Sequence, residues 1–174
     1  MIQLVCGPMF SGKTSHLFMW ERKSKIAKKS VCYIKHSIDT RYSQDESIVN
    51  HDGEHSGNSP VFATDSLISI SSKIESFDVI LIDEGQFFKD LLEFCKQFVG
   101  KIIIISALSG DYKQEPFKPV SDVISFCDRV LQICATCVKC GDDAPFTSRL
   151  IQSEDKILVG GKESYEPRCR KCFI

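Results

Sequence analysis

Near the start of the chain the octapeptide Gly7-Pro8-Met9-Phe10-Ser11-Gly12-Lys13-Thr14 has the spacing G-x-x-x-x-G-K-[ST]. It lies between an apolar run, Ile2 to Cys6, and a long polar-apolar periodic segment. A loop that closes a strand and opens a helix turns successive backbone N–H groups into one concavity, where the helix N-terminus adds partial positive charge. Gly7 and Gly12 permit close approach, Lys13 reaches the outer phosphates as a point charge, and Thr14 offers its hydroxyl to a Mg²⁺ bridging them. The ligand this predicts is a nucleoside triphosphate.

A second reactive stretch is Val79-Ile80-Leu81-Ile82-Asp83-Glu84, a branched apolar strand whose tip delivers two carboxylates. Asp83 suits the magnesium side, and Glu84 is left as general base for an acceptor hydroxyl. Successive strand side chains point oppositely, so both acids serve one site only if the strand ends there, a turn that Gly85 permits. Gln86, Phe87 and Phe88 follow as amide and aromatic surface beside the acid.

The third group is thiol. Nine cysteines are an odd count, and no charged n-region with a cleavage site opens the chain, so the reading is metal binding in a reducing, cytoplasmic compartment rather than a disulfide framework. Cys137-Val138-Lys139-Cys140 and Cys169-Arg170-Lys171-Cys172 are two C-x-x-C knuckles 28 residues apart. The usual separation is about 15 to 20, but the physics is the same: two thiolate pairs close a tetrahedral, structural Zn²⁺ site. Cys134-Ala135-Thr136-Cys137 offers a competing register; Cys137 and Cys140 are preferred because Cys134 continues a strand and Gly141 resembles the end of a knuckle turn. Cys6, Cys32, Cys95 and Cys127 fall on apolar elements and read as structural.

The elements that must position these groups alternate. Strands are predicted at 2–6, 31–35, 61–62, 79–82, 101–108 and 129–133, and helices at 12–29, 66–74, 90–99 and 120–128. On the first helix Leu17, Trp20, Ser24 and Ala27 face inward with Ile26 beside them, while Glu21, Arg22, Lys23, Lys25, Lys28 and Lys29 take the solvated side. Strand alternating with helix gives an α/β fold with a mostly parallel sheet and right-handed crossovers. The carboxyl ends of its strands share one edge, which brings Asp39 and Arg41 toward the phosphates, although the two also read as an ordinary surface pair. His51 and His55 are spaced as zinc ligands on a helix would be, but Gly53 and the polar surroundings argue for loop. The span 141–168, with Thr147, Arg149, an apolar strand 156–159, Gly160-Gly161 and Tyr165, reads as a lid tethered at both ends by zinc.

Taken together these motifs resemble type II thymidine kinases, the cytosolic and large-DNA-virus class, along almost the whole chain. Gly7 to Thr14 is similar to that family's G-P-M-F-[SA]-G-K-[ST], Asp39-Thr40-Arg41-Tyr42 to its D-x-R motif, and Asp83 to Phe88 to its D-E-x-Q-F-F; Gly160, Gly161, Tyr165 and the Cys pairs resemble its lasso loop and zinc site. The resemblance implies a RecA-like P-loop core (1–133) and a small zinc-binding subdomain with a lasso (134–174). It implies transfer of the γ-phosphoryl of ATP to the 5′-hydroxyl of thymidine, with Mg²⁺ and structural Zn²⁺ as cofactors, feedback by dTTP and a homotetramer or dimer. Glu84 resembles the base. Asp39, Arg41, Asp83 and Gln86 join the phosphate loop around nucleotide and magnesium. Met9, Phe87, Leu108, Tyr112, Thr147, Arg149, Leu158, Val159, Gly160, Gly161 and Tyr165 match the nucleoside pocket. Ser109-Gly110-Asp111-Tyr112 departs from the family's Asp-Gly-(Thr or Asn)-Phe, and the short tail after Cys172 resembles viral or microbial members.

Composition excludes other classes. A chain of 174 residues with 43% hydrophobic content forms one core, and no apolar run approaches the roughly 18 residues of a membrane span. A net charge of -1 gives no field for nucleic acid. A regulatory GTPase would need N-K-x-D, which is absent; a P-loop ATPase or nucleic-acid-binding module with a zinc ribbon is the remaining alternative.

Overall fold

In the computed structural model, which describes residues 1–38, 48–50, 53–152, 158 and 160–173, the β-branched runs pair into a six-stranded sheet that is parallel throughout. Its strands are β1 (Ile2–Gly7), β2 (Val31–His36), β3 (Val61–Thr64), β4 (Val79–Ile82), β5 (Ile102–Leu108) and β6 (Arg129–Gln132), in the order β3-β2-β4-β5-β1-β6. β5 thus separates the strand leading to the phosphate loop from the strand ending in the acids. Register aligns Gly7 with Leu108, and Ile82 with Ile105 and Ile34, so the tips of β1, β4 and β5 reach one edge together.

Period-two alternation sends side chains to two apolar layers. Ile80 and Ile82 join Leu4, Ile103 and Ile105 against Leu91 and Phe94 of α3 (Leu91–Gln97) and Val120 and Val123 of α4 (Lys118–Ile124). Val79 and Leu81 join Val5, Tyr33 and Ile104 against Leu17 and Phe18 of α1 (Lys13–Ile26). A strand covered on both faces has no polar side, which is why β1 and β4 read as unbroken apolar runs.

α1 differs from the periodicity reading. Its buried residues are Lys13, Leu17, Phe18, Glu21 and Ser24, while Ile26 is 84% exposed and Ala27 already stands outside the helix. Glu21 is inside because partners meet its carboxylate: Lys25 Nζ (2.6 Å) and Ser59 Oγ donate to Oε1, and Tyr33 Oη (3.0 Å) and the Gly57 N–H (2.9 Å) donate to Oε2. Burial opposes its charge, but these donors win and hold its pKa down to about 2. Hydrophobic periodicity cannot anticipate donors that arrive from distant segments.

The segment 66–74 forms a 3-10 turn, Ile68–Ile70, running into α2 (Ser71–Ile74) rather than one helix. α4 begins and ends before the predicted 120–128, because Pro119 suits a first helical turn. The predicted strand 156–159 lies outside the described residues except Leu158, as does His51; His55 pairs with Val49 in an antiparallel bridge, not on a helix. After β6 come two small hairpins: β7 (Ala135–Thr136) with β8 (Asp143–Ala144), and β9 (Phe146–Arg149) with β10 (Tyr165–Arg168), then α5 (Arg170–Phe173). No helix among the described residues is long and apolar enough to cross a membrane.

Candidate active site

The two glycines of the phosphate loop are required for different reasons. A Cβ at Gly7 would stand 2.4 Å from the carbonyl oxygen of Ile133, so that position needs space. Gly12 has open space around it but a φ of 84°, so that position needs left-handed backbone. Lys13 is buried, and its Nζ donates to the Pro8 carbonyl at 2.6 Å. The Met9 N–H donates to Thr147 Oγ1 at 2.9 Å, and Phe10 packs against the buried cluster of Ala135, Cys137, Ala144 and Cys169. Two residues at free positions of the motif therefore bind the loop to the C-terminal hairpins. A cavity of about 320 Å³ opens on the loop from Met9 to Ser15, faced by Glu84, Asn50 and Lys162.

Parity explains the acids. Asp83 continues the face of Val79 and Leu81, toward α1, and both its carboxylate oxygens lie 3.5 Å from Thr14 Oγ1. Ser106, fully buried on β5, donates its hydroxyl to Asp83 Oδ1, and the Glu84 N–H donates to the same oxygen at 3.1 Å. Glu84 would point to the opposite layer were the strand to continue. Instead it adopts φ 53°, ψ 47°, a left-handed conformation uncommon for a side-chain-bearing residue, and lines the cavity. The turn thus falls on Glu84 itself. Gly85 is needed for a different reason, since a Cβ there would meet Ile105 Cγ2 at 2.6 Å.

Gln86, expected at the phosphates, is buried with its amide on the acid: Nε2 donates to Glu84 Oε2, and Oε1 accepts the Leu108 N–H at 3.0 Å. It ties the carboxylate to the tip of β5. Phe87, half-buried, packs edge-on to His36 at 5.7 Å between ring centroids, whereas Phe88 is wholly buried in the core.

At the second C-terminal hairpin, the Arg149 guanidinium lies over the Tyr112 ring at 3.7 Å, and its Nη2 donates to Tyr165 Oη at 2.9 Å. Tyr165 Oη donates in turn to the Leu158 carbonyl at 2.8 Å. The Tyr112 departure thus supplies the face on which Arg149 rests, and Asp111, buried beside it, accepts the N–H groups of Lys113 and Glu115 at 2.9 Å. Gly160 and Gly161 enter a turn in which the Gly161 carbonyl accepts the N–H of Ser164 and of Tyr165, both at 3.0 Å.

The Sγ atoms of Cys137, Cys140, Cys169 and Cys172 all lie within 4.8 Å of one another. Cys134 is exposed and outside the group, which settles the register of the first knuckle. Four thiol donors suit a soft cation, and a tetrahedral zinc with bonds of about 2.3 Å fits sulfurs so spaced. The Cys169 backbone N–H draws the Cys137 thiol down to about 6. By contrast, burial pushes Cys32 and Cys95 up to about 12, leaving them inert.

Asp39, Arg41 and Val159 lie outside the described residues. Sequence reading missed Ser106, Asn50 and Lys162. A serine directly after Ile102-Ile103-Ile104-Ile105, inside an otherwise apolar strand, was a usable signal for the first; nothing local marked the other two.

The thymidine kinase family model matches residues 1–173. The chain is similar to a thymidine kinase of Bacteroides thetaiotaomicron, 39% identical over 176 residues that cover 99% of this chain and 86% of the relative. It is equally similar to thymidine kinases of raccoon poxvirus (39%) and sheeppox virus (38%), each over 175 residues, 99% of this chain and 96% of the relative.

Proposed function

This chain belongs to the thymidine kinase family and is an ATP-dependent thymidine kinase, and from that premise we propose how its residues transfer the γ-phosphoryl of ATP to the thymidine 5′-hydroxyl, giving dTMP and ADP. Such a transfer needs positioning and charge stabilisation more than covalent chemistry. The loop from Gly7 to Thr14 cradles the phosphates, Lys13 exchanges the Pro8 carbonyl for them, and Asp39 and Arg41 join them on the strength of the family motif. Thr14 and Asp83 are hard oxygen donors that suit Mg²⁺, which neutralises phosphate charge when bound.

Glu84 takes the 5′-hydroxyl proton as the bond to phosphorus forms. The observation that carries this role is its left-handed backbone at the end of β4, which turns the carboxylate into the phosphate cavity where Gln86 holds it. The nucleoside occupies the space bounded by Met9, Phe87, Leu108, Tyr112, Thr147 and Arg149. The lasso covers it with Leu158, Val159, Gly160, Gly161 and Tyr165, keeping water from the phosphoryl group. With Mg²⁺ and ATP, Glu84→Gln is expected to lower dTMP formation about 10²- to 10⁴-fold while ATP binding persists; a variant with wild-type kcat would remove Glu84 from this role.

Zn²⁺ held by Cys137, Cys140, Cys169 and Cys172 is structural, dividing the chain into a nucleotide-binding core (1–133) and a zinc subdomain (134–174). dTTP, which carries both ligands' chemistry in one molecule, is the expected feedback inhibitor. Copies of the chain assemble as a homotetramer or dimer. Support for assembly is β6, a sheet edge whose residues are all exposed, Val130 and Leu131 among them. A drop in molar mass by light scattering for Leu131→Glu is the expected outcome, and an unchanged mass would exclude that edge. The buried free thiols of Cys6, Cys32 and Cys95 support a reducing, cytoplasmic setting. The balanced charge supports small-molecule rather than nucleic-acid partners.

A further inference from the structure

We propose that Lys162 is a second phosphate-binding cation of the active site, borne on the lasso so that it meets the polyphosphate of ATP when that loop stands over the nucleoside. The inference rests on the kinase reading and concerns a residue that no motif marks. Among the described residues facing the phosphate cavity, Lys162 is the one that comes from the zinc-tethered subdomain, and it shares the cavity with Lys13 and Glu84. Lys162 is exposed, and no hydrogen bond or ion pair to another described residue holds its ammonium. A flexible stem with three donors at a cavity built for phosphate is suited to contact it as a point charge.

The backbone beneath it is fixed. The Gly161 carbonyl accepts the N–H groups of Ser164 and Tyr165, and the Gly161 N–H donates to Glu163 Oε1 at 2.6 Å, which closes the turn that carries Lys162. The Leu150 N–H donates to the buried Ser164's carbonyl at 2.8 Å, joining that turn to the end of β9. β9 in turn holds the phosphate loop through Thr147 and the Met9 N–H. One short hairpin therefore spaces Lys162 from the loop. Thymidine held against β9 and ATP held at the loop would thus act on one connected unit that bears Lys162, which makes their binding reciprocal.

The experiment is calorimetric titration of a β,γ-imido ATP analogue with Mg²⁺, with and without thymidine, alongside steady-state kinetics, for wild type, Lys162→Met and Lys162→Arg. Wild type is expected to bind the analogue more tightly when thymidine is present. Lys162→Met should lose that gain, on the order of tenfold, and drop kcat about 10- to 100-fold with thymidine KM little changed. Lys162→Arg should retain most of both, and equal melting temperatures would show that the exposed site leaves the fold intact. Unaltered coupling and kcat in Lys162→Met, or no coupling in wild type, would overturn the proposal. Failure of the kinase reading is separate: wild-type protein would then make no dTMP, while the analogue titration would still report whether Lys162 contacts phosphate.

Discussion

Every residue from Val79 to Ile82 is completely buried and packs into one of two apolar layers, whereas among the described residues from Ala135 to Phe173 the buried cluster is Ala135, Cys137, Ala144 and Cys169. The first region is held by area removed from water, the second by four thiols brought to one point. Each carries half of the proposed site. The sheet edge presents Lys13, Thr14, Asp83 and Glu84, and the thiol-tied region presents Thr147, Arg149, Tyr165 and Lys162. The difference teaches that charge placement rests on a rigid sheet edge, while the segment beside it can be held by a few thiols in place of a large core.

Breaking the thiol tie should have the largest effect. Cys137→Ser or Cys172→Ser is expected to remove about one zinc per chain by metal analysis and to lower activity by about 10³ or more, while far-UV circular dichroism keeps the signal of the sheet. Truncating the core gives the converse. Ile80→Ala should cost about 3 to 4 kcal/mol in denaturant unfolding yet leave kcat near wild type at temperatures where the protein is folded.

Next is Glu21, which sharpens the comparison because it is an electrostatic tie inside the apolar half. Its folded pKa of about 2 lies below the ordinary 4.5, so its contribution is fully present above about pH 4.5 and is lost as pH falls toward 2. Glu21→Gln should destabilise by about 2 to 3 kcal/mol at pH 7 and flatten the acid limb of the stability profile, read from melts at successive pH.

Smaller again is Gln86→Leu, which frees the Glu84 carboxylate while filling its space. kcat should fall about 10- to 30-fold with ATP affinity unchanged, since the amide's hydrogen bond goes to the Glu84 carboxylate. Thr147→Val removes the acceptor from the Met9 N–H at the seam between the regions. A loss of about 1 kcal/mol in ATP binding by calorimetry is the expected outcome.

The strand-loop-helix around Lys13 and the acid-tipped strand at Asp83 were legible because local spacing alone dictates them: two glycines, a lysine and a hydroxyl, then four branched residues before paired acids. Cys137, Cys140, Cys169 and Cys172 were legible because thiol pairs at two-residue spacing have few other uses. Glu21 was misread as solvent-facing because its partners, Tyr33, Gly57 and Ser59, come from elsewhere in the chain. For the same reason the sequence did not disclose that the Gln86 amide joins Glu84 to the backbone of Leu108.

By itself the sequence determined the alternating α/β architecture, the phosphate loop, the identity of the acids and the thiol pairs, since each is written in contiguous residues whose chemistry is local. Only the tertiary structure decided that β5 lies between β1 and β4, placing Ser106 on Asp83. The same holds for the left-handed turn at Glu84, and for the hairpin from Thr147 to Ser164 that brings Lys162 to a loop some 150 residues earlier in the chain. Strand order and the placement of that hairpin follow from which faces can bury together and which donors meet which acceptors, and those are properties of the packed chain, not of any segment.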